Sequence, residues 1–93
     1  MNRVVLSALL VERGAVRYTP AGLPACDFSL KHESQVTEAG HPRQIFMEIK
    51  AVVLGDITQR LLKMEIGSSA VYAGFLTHQR NGRGTVFHVT EFE

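Results

Sequence analysis

"RQIFMEIKAVVLGDITQRLLKM", residues 43–64, changes its repeat part-way along. As far as Leu54 it reads as a strand. Ile45, Met47 and Ile49 share one face, and Gln44, Phe46, Glu48 and Lys50 share the other. The run then becomes apolar throughout at "AVVL", as a strand does when it passes from solvent into a core. Gly55 ends it and Asp56 stands where a helix N-cap would. Beyond that point Ile57, Leu61 and Met64 recur at helical spacing, leaving Gln59, Arg60 and Lys63 for solvent. The expectation is a strand over 43–54 followed by one short helix over 57–64.

Towards the N-terminus, Ala25 to Val36 alternates in the same way. Cys26, Phe28 and Leu30 oppose Asp27, Ser29 and Lys31, and the far end turns polar at His32, Glu33, Ser34 and Gln35. With "TEAGHP" (37–42) as a loop, these two strands form a long hairpin with a splayed, polar tip. "TPAGLP" (19–24) is a turn, with Pro20 suited to its second position and Gly22 able to take a positive φ. The first segment, "VVLSALLV" (4–11), is apolar on both faces and reads as a strand covered on both sides or set at a subunit junction. After the helix, Ser69–Gln79 is a strand with a bulge or bend at Gly74. "RNGRG" (80–84) is an Asn-Gly hairpin turn, and Thr85–Phe92 is the last strand.

The order is therefore β-β-β-α-β-β. It gives an all-β class: a five-stranded OB-fold Greek-key barrel with one short helix between strands three and four. Gly14 and Gly74 mark where strands would curve. An α+β meander fits the same string.

The chain has 93 residues, 45% of them hydrophobic, which suits a single domain over 1–93 with a real core. Its formal net charge of +1 is not that of a strongly basic nucleic-acid binder, so any such affinity must come from local clusters, stacking or a second subunit. The apolar N-terminal run is interrupted by Ser7 and followed by Glu12 and Arg13, with no small-residue cleavage site. It reads as a strand, not a signal peptide, and the protein as cytoplasmic with no membrane span. With one cysteine, Cys26, there is neither an internal disulfide nor a cysteine zinc cluster. His32, His41, His78 and His88 show no metal-ligand spacing, and no phosphate-binding loop or nucleophile motif is present. The expectation is a non-enzymatic protein without a cofactor or metal.

"VRYTPAGLPACDFSL" (16–30) resembles the segment that follows the first strand in bacterial single-stranded DNA-binding proteins. "GSSAVYAGFL" (67–76) resembles their glycine-led strand after the helix. Through "NRVVLSALLVERGAVRYTPAGLPACDFSLKHES", "EAGHPRQIFMEIKAVVLG" and "GFLTHQRNG" the likeness is closer still to the primosomal branch of that family, over nearly the whole chain. Glu93 directly follows the last strand, where other members continue into a flexible, acidic-tipped tail.

The resemblance implies an OB-fold homodimer that binds single-stranded DNA and contacts the replication-restart helicase PriA and the loader protein DnaT. It places subunit pairing on the first segment, at Val4, Leu6, Ala8 and Leu10. Phe46, on an otherwise polar strand face, is the stacking platform, in a place where the family more often has Trp. Arg80 and Arg83 belong to a basic hairpin loop, and Arg17 matches a basic position with Tyr18 beside it. Arg43 and Lys50 border the same surface. Glu33, Gln79 and Thr85 depart from the family's basic pattern, and Glu33 and Glu48 would repel phosphate. Two other functions fit: a protein–protein adaptor with little DNA binding, and a tail-less paralogue of the single-strand binding proteins.

Overall fold

The computed structural model describes residues 1–79 and 82–93. It contains strands β1 (Val4–Arg13), β2 (Arg17–Tyr18), β3 (Pro24–Glu38), β4 (His41–Leu54), β5 (Ser69–His78) and β6 (Thr85–Phe92), with helix α1 (Ile57–Leu62) between β4 and β5. The sheet runs β1-β5-β6-β4-β3, and β1 also pairs with β3, so five strands close into the expected barrel. Closure removes the open edges that a flat sheet would expose. Two pairings make it possible: β1 meets β3 from Leu9↔Lys31 to Arg13↔Phe28, and β4 meets β6 in parallel at Ala51↔Phe87 and Val52↔His88.

Alternation sorts the strands. Leu10, Cys26, Leu30, Val53, Leu61, Tyr72, Phe87 and Val89 are fully buried together, with Phe28 and Phe92 beside them. Tyr72 stands between two rings, with its centroid 6.1 Å from that of Phe28 and 5.5 Å from that of Phe92. Its hydroxyl points to the Met64 sulfur, and burial pushes its pKa up. Cys26 is likewise sealed in. Burial, then the neighbouring Asp27 charge, raises its pKa, and its thiol donates to the Gly14 carbonyl at 3.3 Å. It packs as a small apolar side chain.

The strand ends converge on α1. The Arg13 guanidinium, at the end of β1, donates to the carbonyls of Leu61 (3.1 Å) and Met64 (2.5 Å), tying β1 to the C-terminal end of the helix. Arg60, expected in solvent, lies 4.6 Å over the Phe92 ring and donates to its carbonyl at 2.8 Å. Asp56 takes the N-cap position but makes no side-chain cap hydrogen bond, because it is already helical in φ and ψ. Thr58 is buried and its hydroxyl donates to the Pro24 carbonyl.

The Gly74 bulge is present between Ala73 and Gly74. A Cβ there would sit 1.9 Å from the His88 carbonyl oxygen, so only glycine fits. The curve in β1 lies elsewhere than expected. Its register slips between Leu10 and Glu12, around Val11, whereas Gly14 ends the strand and donates to the Asp27 carbonyl.

The β3–β4 hairpin differs most from the sequence expectation. Pairing is unbroken from Ala25↔Leu54 to Glu38↔His41, so the tip is neither splayed nor a six-residue loop. Ala39 (φ 52°) and Gly40 (φ 79°) alone make the turn. Two left-handed residues twist the chain in the sense of the flanking strands, which lets pairing continue to the end. The distal half of this hairpin is an arm, and the molecule is correspondingly elongated at 50 × 27 × 21 Å.

Candidate nucleic-acid interface

Pair register assigns each candidate to a face. On the hairpin, Phe46 opposes Glu33, Glu48 opposes Lys31, and Lys50 opposes Ser29. All of these project from one side, continuous with the barrel exterior. Phe46 keeps 64% of its surface exposed, the largest value for any Phe in the chain. Its same-face neighbours along β4 are Gln44 and Glu48. Within the hairpin, the cations on that side are Lys31, diagonally across, and Lys50, about 13 Å along the strand.

Arg43 is not on this surface. Its partner in the ladder is Val36, which puts it on the opposite face with Ile45 and Met47, and its guanidinium pairs with Glu38. The expectation that it borders the same surface as Lys50 is corrected by the alternation: an odd-numbered position on β4 cannot share a face with Phe46.

Lys50 does meet Arg17. Both line a groove of about 860 Å³ that runs between β2–β3 and the β5–β6 hairpin, together with Asp27, Val52, His78 and His88. Arg17 is held bidentately by Asp27, at 3.2 and 3.3 Å, and these hydrogen bonds push its pKa up. The exposed pair is worth at most about 1 kcal/mol, but it leaves Arg17 partly neutralised. Tyr18 alternates away from the groove and is 71% exposed. Arg83 is exposed in the β5–β6 connection. Arg80 lies outside the described residues.

The four residues expected at a subunit junction turn inward. Ala8 and Leu10 are buried in this chain's own core, and Val4 and Leu6 pack against it. The physical reason is again alternation, with the opposite set left outside: Val5 (58% exposed) and Leu9 (40%) face solvent, and Val71, paired opposite Ser7, extends that outer apolar patch.

One feature escaped the sequence. His88 stacks on Phe75 with centroids 4.6 Å apart and planes 22° from parallel. His88 also lines the groove, and burial holds its pKa below the ordinary range. The two residues are direct cross-strand partners in the β5–β6 ladder, so the stack follows from the register of that hairpin, which neither residue signals alone. Chemically, the surface offers flat rings, hydroxyls and few free cations. It is suited to stacking and to light contact with anions. Among the described residues there is no cluster of three or more potential metal-ligating side chains, and no helix is long and apolar enough to cross a membrane.

A family model described as "Another single-strand binding protein family" matches residues 2–91. Replication restart protein PriB of Bordetella pertussis is 49% identical over 80 residues, covering 86% of this chain and 75% of that protein. The chain belongs to the PriB branch of the single-strand binding protein family. PriB of Nitrosomonas europaea is 32% identical over 91 residues, covering 97% of this chain and 84% of its own length. The PriB structure from Ralstonia solanacearum superposes with a TM-score of 0.91 at 36% identity, over 100% of this chain and 96% of that one. The wild-type single-stranded DNA binding protein of Thermus aquaticus shares the fold, with a TM-score of 0.78 at 24% identity, over 100% of this chain and 49% of that one. The PriB fold is thus the barrel described above, with its long β3–β4 arm.

Proposed function

We propose that this chain is a non-catalytic, single-stranded DNA-binding component of replication restart, in which Phe46 supplies a stacking platform and Lys50, Arg17 and the β5–β6 hairpin contact the backbone. One observation carries the reading: Phe46 is a large ring left in solvent on the outer face of a fully paired arm, where packing gives it no purpose. Unpaired bases present flat faces that such a ring can hold, at about 1–3 kcal/mol per stacked base. The family's printed names, replication restart and single-strand binding, support the process and the ligand.

The finer reading is a cytoplasmic homodimer that lays two arms along one strand, stabilises the helicase PriA on DNA and helps recruit the loader DnaT. The outer apolar patch at Val5, Leu9 and Val71 supports the pairing. Fluorescence anisotropy of a labelled oligonucleotide tests the main claim. Saturable binding to the single strand that weakens as salt rises is expected, with weaker binding to the duplex. No change in anisotropy at low salt would overturn it.

The adaptor reading is favoured by a specific observation as well. Glu33 stands directly opposite Phe46, and Asp27 occupies Arg17. If the single strand fails to bind, docking of the helicase is what this surface is left to do.

A further inference from the structure

The arm leaves the barrel abruptly. β1 and β3 pair as far as Leu9↔Lys31. Had their ladder continued, Ser7 would have met Glu33. It stops instead, and among the described residues the rungs from His32↔Met47 to Glu38↔His41 have no third strand paired beside them, since the β4–β6 ladder covers only Ala51 and Val52. A side chain takes over where the main chain stops. The His32 ring lies between the two strands, with Nδ1 2.6 Å from the Ser7 carbonyl oxygen and Nε2 2.8 Å from Ser34 Oγ. The carbonyl can only accept, so Nδ1 carries the proton and donates. Ser34 can serve Nε2 as either donor or acceptor.

We propose that His32 is a positioning residue: its ring ties the root of the arm to the stretch of β1 that β3 no longer pairs with, and so sets the direction in which Phe46 is presented. Phe46 sits on the very next rung, Glu33↔Phe46, just beyond this tie. A platform on an untethered arm must be oriented each time a base lands on it, whereas a tied arm is oriented beforehand, and that difference appears as affinity. The proposal rests on the DNA-binding reading for its consequence, but not for the tie itself.

The test uses the full chain with two substitutions. His32→Ala removes the tie. His32→Asn keeps an amide donor near the position of Nδ1 and can still reach the Ser7 carbonyl. Residue-resolved amide exchange should show arm amides between Glu33 and Phe46 exchanging faster in His32→Ala, with barrel amides unchanged and His32→Asn close to wild type. Equal arm exchange in all three proteins overturns the tie, whether or not DNA binds. In the anisotropy assay, His32→Ala should weaken single-strand binding about three- to tenfold, with rescue by His32→Asn. It should have little further effect once Phe46→Ala is present, because the tie acts through that ring. Full additivity of the two substitutions would show that His32 acts on DNA by some other route and would overturn the positioning role. Absence of wild-type binding would remove the DNA-binding reading and leave the exchange result to decide the tie.

Discussion

The barrel and the arm are made from the same two strands, yet they obey different rules. Between Ala25 and Leu30 on β3, and between Ile49 and Val53 on β4, the inward side chains are buried or nearly so. Past Lys31↔Glu48 the ladder is intact but neither face is covered. Val36, Phe46 and Met47 all stand at least 40% exposed there. Backbone pairing and a few polar side-chain ties, such as His32 to Ser7 and Arg43 to Glu38, therefore keep the arm in shape, whereas the barrel is held by apolar burial. The lesson is that continuous pairing does not make one mechanical unit. Substitutions in the barrel should change stability, and substitutions on the arm should change recognition.

Gly74→Ala should strike the barrel hardest. The added methyl would collide with backbone at 1.9 Å, and neither strand can yield without breaking the bulge. A loss of about 4 kcal/mol or more is expected, read by urea denaturation, against an arm control such as Val36→Ala that stays within about 0.5 kcal/mol of wild type. Next comes Leu10→Ala, which empties a fully buried site and should cost about 3 kcal/mol in the same measurement. If Val36→Ala destabilised as much as Leu10→Ala, the division between barrel and arm would fail.

The smallest effect is a pH dependence confined to the barrel. Burial lowers the His88 pKa, so the unfolded chain takes up that proton first as pH falls. The group's contribution is fully present above the ordinary histidine pKa of about 6.5. It declines as pH drops through that value and levels off below the lowered folded-state value. His88→Gln should flatten this part of the stability–pH curve without altering the arm.

Much of this division was legible in the sequence, and the residues show why. The switch of period at Gly55–Asp56 located the strand and helix, because alternation and helical spacing are local properties. The bulge was signalled by Gly74, since glycine inside a strand marks close backbone approach. What escaped depends on pairing between distant segments. Whether Val4, Leu6, Ala8 and Leu10 or their alternates face the core cannot be read from a strand apolar on both sides. The fate of Arg17 turned on the closeness of Asp27 in the sheet, whereas that of Arg43 followed from alternation along its own strand and was there to be read. The Phe75–His88 stack follows from the β5–β6 register, which pairs the two residues directly. The tip was misread because Ala-Gly, unlike Asn-Gly, carries no strong turn signature, although both residues take left-handed φ.

Phe46→Ala isolates the arm's role most directly, measured for both properties in one protein. The ring is mostly exposed, so the urea midpoint should remain that of wild type. Anisotropy should show single-strand affinity falling about 5- to 150-fold, the loss of one stacked base. Unchanged affinity for the oligonucleotide, or a lost fold with recognition intact in the surviving protein, would contradict the account.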